Sequence, residues 1–243
     1  MAHCLSCNLE ESGKFCSNCG QSLSIERIDR KYAIQELMKL TGYEKGFVYT
    51  VIALALRPGK VIRQYLDEDR QRITQPITFL ILTSLIYTVV GHYFKSDLIH
   101  TGMMKTMYGD SYIFKLSFWV QQNYGYANLL MLVPITFWTR LLFNEHKYNT
   151  YETFVVTSLI MAEGMLLYTL QVALNFVFPK AILLNEFITA VVLFFYVGWA
   201  IGRFYGGTRR SYWKGFFSYL LGVITFQILI VVFGVLADII IKL

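Results

Sequence analysis

The sequence predicts an all-α membrane protein with five transmembrane helices, preceded by amphipathic helices and a small cysteine-rich module. The chain of 243 residues is 55% hydrophobic and only 16% charged, whereas soluble domains carry about 25% charged residues. Several long apolar stretches follow residue 75, and each is close to the ~20 residues that a membrane-crossing helix needs. All four cysteines lie within the first 20 residues. A compact N-terminal module is therefore tied to a membrane-embedded body.

The cysteines form two CxxC pairs with the spacing Cys4-x2-Cys7-x8-Cys16-x2-Cys19. Four thiolates in this arrangement are typical of a tetrahedral zinc site whose ligand shell is closed. The short spacer can bury little apolar surface, so metal binding is expected to supply most of the folding free energy. We therefore predict that residues 1–24 form a zinc ribbon whose structural Zn2+ is bound by Cys4, Cys7, Cys16 and Cys19. Two disulfides and an iron–sulfur cluster are the alternatives.

Residues 25–75 are predicted to form a cytoplasmic collar of amphipathic helices at the lipid headgroups. The apolar residues of segment 28–40 are spaced roughly as one helical face, and Thr41 to Glu44 is typical of a capping box that opens a second helix. The apolar run of this second helix ends at Leu56 and is too short to cross a bilayer. A third short helix is expected after Arg57-Pro58-Gly59.

Basic residues in and near this collar are candidate contacts for lipid headgroups, and simple helix packing with loop charge is the alternative. The candidates are Arg57, Lys60, Arg63, Arg70, Arg72, Arg209 and Arg210.

The five predicted spans cover residues 76–94, 126–143, 153–178, 183–205 and 215–241. Pro134 interrupts the second, which a span tolerates because neighbouring helices can satisfy the freed backbone group. The third and fifth spans are long enough to tilt.

Orientation is predicted from lysines and arginines, which favour the cytoplasmic loops. With the N-terminus in the cytoplasm, the inside charges near the spans outnumber the outside charges by eleven to five. The inside set comprises Arg57, Lys60, Arg63, Arg70, Arg72, Arg140, Lys147, Arg203, Arg209, Arg210 and Lys214, and the outside set Lys95, Lys105, Lys115, Lys180 and Lys242. An odd number of spans then puts the C-terminus outside. The cysteines lie in a reducing compartment, which favours zinc over disulfides.

Two stretches resemble a known family. The segment Arg57-Pro58-Gly59-Lys60-Val61-Ile62-Arg63-Gln64-Tyr65-Leu66 with Arg70, Arg72 and Pro76, together with the knuckle Phe15-Cys16-Ser17-Asn18-Cys19-Gly20-Gln21, resembles a family of uncharacterised bacterial membrane proteins. In that family a short zinc ribbon precedes several spans, and the likeness covers roughly residues 1–85. It implies a multi-pass protein of the bacterial inner membrane and supplies no catalytic residues. A fainter likeness links the chain to the five-span Yip-type membrane proteins, at the level of fold alone.

Polar residues inside the spans are the remaining candidates for function, since charges at membrane depth are costly. Glu163 lies near the middle of the third predicted span, with Gln171 and Asn175 further along it and Gln227 central in the fifth. One hypothesis is that these four residues line a polar seam through the bundle. The alternative is structural hydrogen bonding between helices, or an ion pair of Glu163 with Arg140 or Arg203.

No motif of a known enzyme is present: HExxH, a phosphate-binding glycine loop and a nucleophile elbow are all missing from the sequence. The first 25 residues carry one lysine, Lys14, ahead of Arg27, so the module lacks the basic face of a nucleic-acid-binding ribbon. We expect a scaffold or accessory subunit, without enzyme activity, that contacts membrane lipids and docks a protein partner or a second copy through the ribbon. The alternative function is an ion or small-solute transporter or channel, including a membrane-perforating effector, that uses the seam around Glu163.

Overall fold

A computed structural model describes residues 2–3, 10–11, 16–18, 46–70, 72–94 and 111–242. The chain divides into two compact units, Met1–Leu40 and Thr41–Leu243. The division falls inside the segment 25–75, which was expected to form one collar. The predicted boundaries of the ribbon, the collar and the bundle stay predictions.

The first unit contains two strands of two residues, β1 (Ala2–His3) and β2 (Glu10–Glu11). They pair antiparallel, with Ala2 opposite Glu11 and His3 opposite Glu10. In the sequence, this pairing encloses the first CxxC. Ser17 and Asn18 form an exposed turn directly after Cys16.

The second unit is a bundle of helices. Its helices are α1 (Phe47–Leu56), α2 (Pro58–Asp67), α3 (Pro76–Tyr93), α4 (Tyr112–Gln122), α5 (Tyr124–Leu142), α6 (Thr150–Val177), α7 (Ile182–Phe204) and α8 (Arg209–Lys242), with a 3-10 turn at Pro179–Ala181. The expected helical class is therefore correct for the described bundle.

Local chemistry explains several helix ends. Pro58 and Pro76 each occupy the first turn of a helix, where the missing N–H costs nothing. A capping box begins α6, with Asn149 and Glu152 bonding each other's backbone N–H groups at 2.9 and 2.7 Å. Pro58 and Gly59 thus do more than break the preceding helix, because they form the first turn of α2.

Among the described residues, four helical segments are long and apolar enough to cross a membrane: Pro76–Tyr93, Thr150–Val177, Pro179–Phe204 and Arg209–Ile241. They correspond to the first, third, fourth and fifth predicted spans. Large apolar side chains are exposed along them, for example Ile81, Phe187 and Phe233, as expected for helices that face lipid. The chain is therefore a helical membrane protein by length and composition of its helices.

The second predicted span, now α5, is not among these four. Asn128, Pro134 and Arg140 lower its apolar character. It packs nevertheless against α3, α6 and α8. With 19 residues it is about 28 Å long at 1.5 Å per residue, close to the thickness of the bilayer core.

The helices α4 and α5 together run along α8. At the start of α4, the backbone N of Tyr112 donates to Asp238 Oδ2 over 3.1 Å, and Ile113 lies against Gly234. In the loop after α5, Glu145 accepts a hydrogen bond from Lys214. The two contacts lie near opposite ends of the 34-residue helix α8. We call the end at Lys214 the collar end of the bundle.

Close backbone contacts join α7 to α8. A side chain on Gly215 would place its Cβ 2.4 Å from the carbonyl oxygen of Gly198. A Cβ on Gly202 would lie 2.7 Å from the Cα of Tyr212. Small residues at this spacing let two membrane helices approach closely.

Candidate functional site

The predicted metal site lies mostly outside the described residues. Cys4, Cys7 and Cys19 are outside them, and Cys16 is 2% exposed. The turn that follows it, Ser17 and Asn18, is exposed. The described part of the chain contains no group of three potential metal ligands, but it includes only one of the four cysteines. The zinc site therefore stays a prediction.

Glu163 is deeply buried in α6, with 5% of its surface exposed. Its Oε2 has no hydrogen-bond partner among the described residues. The phenol of Tyr196 on α7 is within electrostatic reach of this carboxyl group. Tyr196 in turn donates to the carbonyl oxygen of Leu54 over 3.3 Å. Glu163 therefore lies where α6 and α7 meet α1.

Ion pairs of Glu163 with Arg140 or Arg203 are absent from the described structure. Arg203 Nη1 lies 3.5 Å from the hydroxyl of Tyr212. Arg140 Nη1 is buried without a partner among described atoms, and its charge acts on Tyr205 at the collar end. The carboxyl group is buried among neutral neighbours instead.

The other members of the hypothesised seam have different surroundings. Gln171 is buried, and Asn175 is half-buried and accepts a hydrogen bond from Asn185 over 3.1 Å. Gln227, by contrast, is exposed on α8. The burial pattern thus groups Glu163 with Gln171 and leaves Gln227 on the outer surface, because Gln227 lies on the face of α8 that packs against no other described helix. Gln227 is therefore not part of a buried seam.

At the collar end, α2 is fixed on the last turn of α7. A Cβ on Gly59 would lie 2.6 Å from the carbonyl carbon and oxygen of Arg203, so the two helices touch backbone to backbone. Arg63 Nη1 donates to the carbonyl oxygen of Phe204 over 3.2 Å. A cation at a helix C-terminus satisfies carbonyls that lack partners and complements the helix dipole. Arg63, predicted to contact lipid headgroups, therefore also caps α7.

A cleft of about 540 Å³ opens beside this contact. Four cationic side chains line it: Arg57, Lys60, Arg63 and Arg203. We call it the basic cleft.

The rest of the cleft lining is aromatic, apolar or glycine. It comprises Leu56, Trp199, Gly206, Gly207 and Tyr212. Gly206 and Gly207 have φ angles of 118° and 66°, which residues with a side chain rarely adopt. The loop that closes the cleft therefore depends on glycine.

The remaining headgroup candidates lie outside the basic cleft. Arg70, Arg72, Arg209 and Arg210 are all exposed. The guanidinium of Arg72 lies 5.6 Å from the centre of the Tyr49 ring, a cation–π distance. Their exposed positions are those expected of ordinary surface charges, the alternative to specific contact with lipid headgroups.

Sequence reasoning missed three members of the cleft. Arg203 was considered as a cytoplasmic charge and as a partner of Glu163, and Trp199 and Tyr212 were not connected with the collar. The available signal was the pair Gly206-Gly207, which indicated a tight turn between two aromatic and basic segments. The turn brings Tyr212 of α8 back beside Arg203 of α7.

Comparison with known proteins gives one similarity. A family model described as "Protein of unknown function (DUF3667)" matches residues 44–88. This stretch contains α1, α2 and most of α3, and so includes the collar half of the basic cleft. No curated protein matches the chain, and no solved structure does.

The matched stretch fits the predicted resemblance to an uncharacterised family. It does not include the cysteines or the later helices. The ribbon and the likeness to Yip-type proteins remain predictions.

Proposed function

We propose that the protein is an integral membrane scaffold or accessory subunit that docks a partner through a cytoplasmic zinc ribbon. The observation that carries the proposal is the fixed attachment of α2 to α7, through the Gly59 backbone contact and the Arg63 cap. The helices that follow the first unit in sequence are thus held on the bundle through their own contacts.

The proposed ribbon binds one structural Zn2+ through Cys4, Cys7, Cys16 and Cys19. Support comes from the two CxxC pairs, the antiparallel pairing of β1 with β2, and the burial of Cys16. A closed shell of four thiolates leaves no position for a substrate. The metal's role in this proposal is to fold a docking surface, and the proposed protein is not an enzyme.

The bundle is proposed to have five spans, with α5 as the second, and to lie in a bacterial inner membrane. The course of α4 and α5 along α8 supports this count. Positive charge at the collar end supports a cytoplasmic N-terminus and an outside C-terminus. The ribbon would then lie in a reducing compartment with its partner, either another protein or a second copy of the chain.

The test is purification of the full chain from native membranes, followed by identification of bound proteins, oligomeric state and zinc content. Cys16→Ser should remove the zinc and the partner while the thermal unfolding of the bundle is unchanged. Ser17→Ala, in the adjacent exposed turn, is the matched control and should retain both. A Cys16→Ser protein that lost zinc yet kept its partner would eliminate the docking role. Loss of the whole folded protein would make the ribbon a folding element only.

A transporter or channel using Glu163 is the second candidate. The unpartnered, buried carboxyl group favours it, whereas the exposed position of Gln227 does not. Reconstituted vesicles with the protein and with Glu163→Gln should show the same ion flux if the scaffold proposal is correct. A flux that requires Glu163 would replace it.

A further inference from the structure

We propose that the basic cleft binds the phosphate group of an anionic phospholipid. Its position, between the collar helices and the loop from α7 to α8, is independent of the ribbon and its partner. The inference therefore stands apart from the proposed scaffold role.

Charge is the first argument. Arg57, Lys60, Arg63 and Arg203 converge on one cleft, and in the described structure none of them pairs with a carboxylate. Four cations so close together repel one another unless an anion lies among them. Phosphate is the natural partner, because guanidinium groups bind its oxygens through pairs of charge-assisted hydrogen bonds.

Two of the cations are positioned in advance. Arg63 is anchored on the carbonyl oxygen of Phe204, and Arg203 lies beside the hydroxyl of Tyr212. The side chains of Arg57 and Lys60 are exposed and make no hydrogen bond or ion pair with the described residues. A ligand would thus meet two guanidinium groups that are already held in place, and two further cations without a competing partner among the described residues. Fixed donors reduce the entropy lost on binding.

The apolar residues beside the cleft indicate that the phosphate belongs to a lipid. Leu56 and Trp199 line one side of the cleft. Leu56 continues a stripe on α1, where Val48, Ile52 and Leu56 are 63%, 54% and 67% exposed. These residues recur every four positions and so share one helical face. A lipid could place its phosphate among the cations and an acyl chain along this stripe, which a soluble phosphate would leave uncovered.

Trp199 allows the proposal to be tested directly. A full-length protein carrying Trp119→Phe, Trp138→Phe and Trp213→Phe retains Trp199 as its single tryptophan. It is reconstituted into phosphatidylcholine vesicles that contain a minor fraction of brominated phosphatidylglycerol, or the same fraction of brominated phosphatidylcholine. Bromine quenches only nearby tryptophan fluorescence. We expect the anionic lipid to quench Trp199 several-fold more effectively.

Two double variants make the test specific to the cleft. Arg57→Gln with Lys60→Gln should lower the preference for phosphatidylglycerol at Trp199 about tenfold or more, because both side chains would donate charge-assisted hydrogen bonds to a phosphate in the cleft. Arg209→Gln with Arg210→Gln removes the same charge from exposed positions outside the cleft lining. It should change this preference less than about twofold, because these side chains donate no hydrogen bond to a phosphate in the cleft. Circular dichroism and the melting temperature confirm that both variants are folded.

Three results would overturn the proposal. If both double variants lost the preference for phosphatidylglycerol equally, the lipid would be attracted to the basic surface as a whole and not to the cleft. Equal quenching by the two brominated lipids in the unmutated cleft would mean no headgroup preference. Equal quenching by both lipids, together with a change in Trp199 fluorescence on adding inorganic phosphate that Arg57→Gln and Lys60→Gln abolish, would identify a soluble phosphate as the ligand.

Discussion

At the scale of single residues, Gly59 decides how the collar joins the bundle. It lies in the first turn of α2, where its missing side chain lets the helix touch the backbone of Arg203. A side chain there would meet carbonyl and amide atoms of α7, which cannot move aside as a flexible side chain can. The contact therefore accepts only glycine without a shift of a whole helix.

Gly59→Ala should destabilise the protein by about 1–3 kcal/mol, the usual cost of adding atoms to a filled site. The expected result is a lower melting temperature in detergent and faster tryptic cleavage after Lys60, because α2 separates from α7. Gln64→Ala, on the same helix, is the control and should change neither. An unaltered cleavage rate in Gly59→Ala would mean that α2 is not held by this contact.

Glu163, unlike Gly59, does not match its surroundings, because it is an ionisable residue buried among neutral ones. Its carboxyl group is buried, and Oε2 finds no partner among the described residues. An ionised carboxylate in such a place costs several kcal/mol, so the group contributes little to stability as a charge. We expect Glu163→Gln to keep or raise the melting temperature. Glu163→Ala leaves a cavity and should lower the free energy of unfolding by about 1 kcal/mol or more. A large loss in Glu163→Gln would reveal a partner that depends on the charge.

At the scale of elements, glycines bring the backbones of α7 and α8 into close contact. Gly198 and Gly202 are four positions apart on α7, and Gly215 of α8 faces the carbonyl oxygen of Gly198. Because glycine has no side chain, the two backbones come close together, and dispersion contacts accumulate along the interface between α7 and α8. Phe216 then packs over Gly198, where a Cβ would come within 2.0 Å of its ring.

Gly215→Ala should separate these helices and cost about 1–3 kcal/mol by overpacking. Val232→Leu, on an exposed part of α8, adds one carbon where only lipid is nearby and should be close to neutral. The free energy of unfolding in mixed detergent measures both. Similar stability of the two variants would show that α7 and α8 are less closely packed than their glycines indicate.

The loop after α5 is joined to α8 by the ion pair of Glu145 with Lys214. The hydrogen bond from Lys214 lowers the pKa of Glu145 below its ordinary value of 4.5. A lowered carboxyl pKa stabilises the folded protein above pH 4.5, and this contribution is lost as the pH falls through the lowered value. The melting temperature should therefore drop less on acidification in Glu145→Gln than in the unmutated protein. Because Glu145 is exposed, the difference should be small, and an identical pH profile would mean that the pair contributes nothing.

The helices could be predicted from the sequence, whereas the contacts between them could not. Long apolar runs, which depend only on neighbours along the chain, predicted both ends of α3, α6 and α7 to within three residues. The helix α8 begins at Arg209, before the predicted start at residue 215, because its first turns are basic and aromatic. The basic cleft depends on residues far apart, such as Arg63 and Phe204, which are 141 positions apart. No local sequence pattern predicts such a contact. The same holds for Gln227, whose outward position follows from how α8 packs and not from its own surroundings in the sequence.

At the scale of the whole molecule, the topology depends on whether α5 crosses the membrane. Its composition is less apolar than that of the four clear candidates, yet its surroundings resemble theirs. Lys147, in the loop that follows α5, lies 3.6 Å from Asp67 at the end of α2, and His146 lies 3.1 Å from the carbonyl oxygen of Tyr205. The loop therefore lies at the collar end, whereas α4 begins beside Asp238 near the other end of α8.

Five spans place the two ends of the chain on opposite sides of the membrane, and four place them on the same side. A reporter that is active only in the cytoplasm, fused to the N-terminus or to the C-terminus, distinguishes these cases. We expect activity from the N-terminal fusion alone. Reporters inserted at Lys147 and Gly207 serve as internal controls, because both loops should share the side of the N-terminus. Activity at both chain ends would mean that α5 does not cross the membrane.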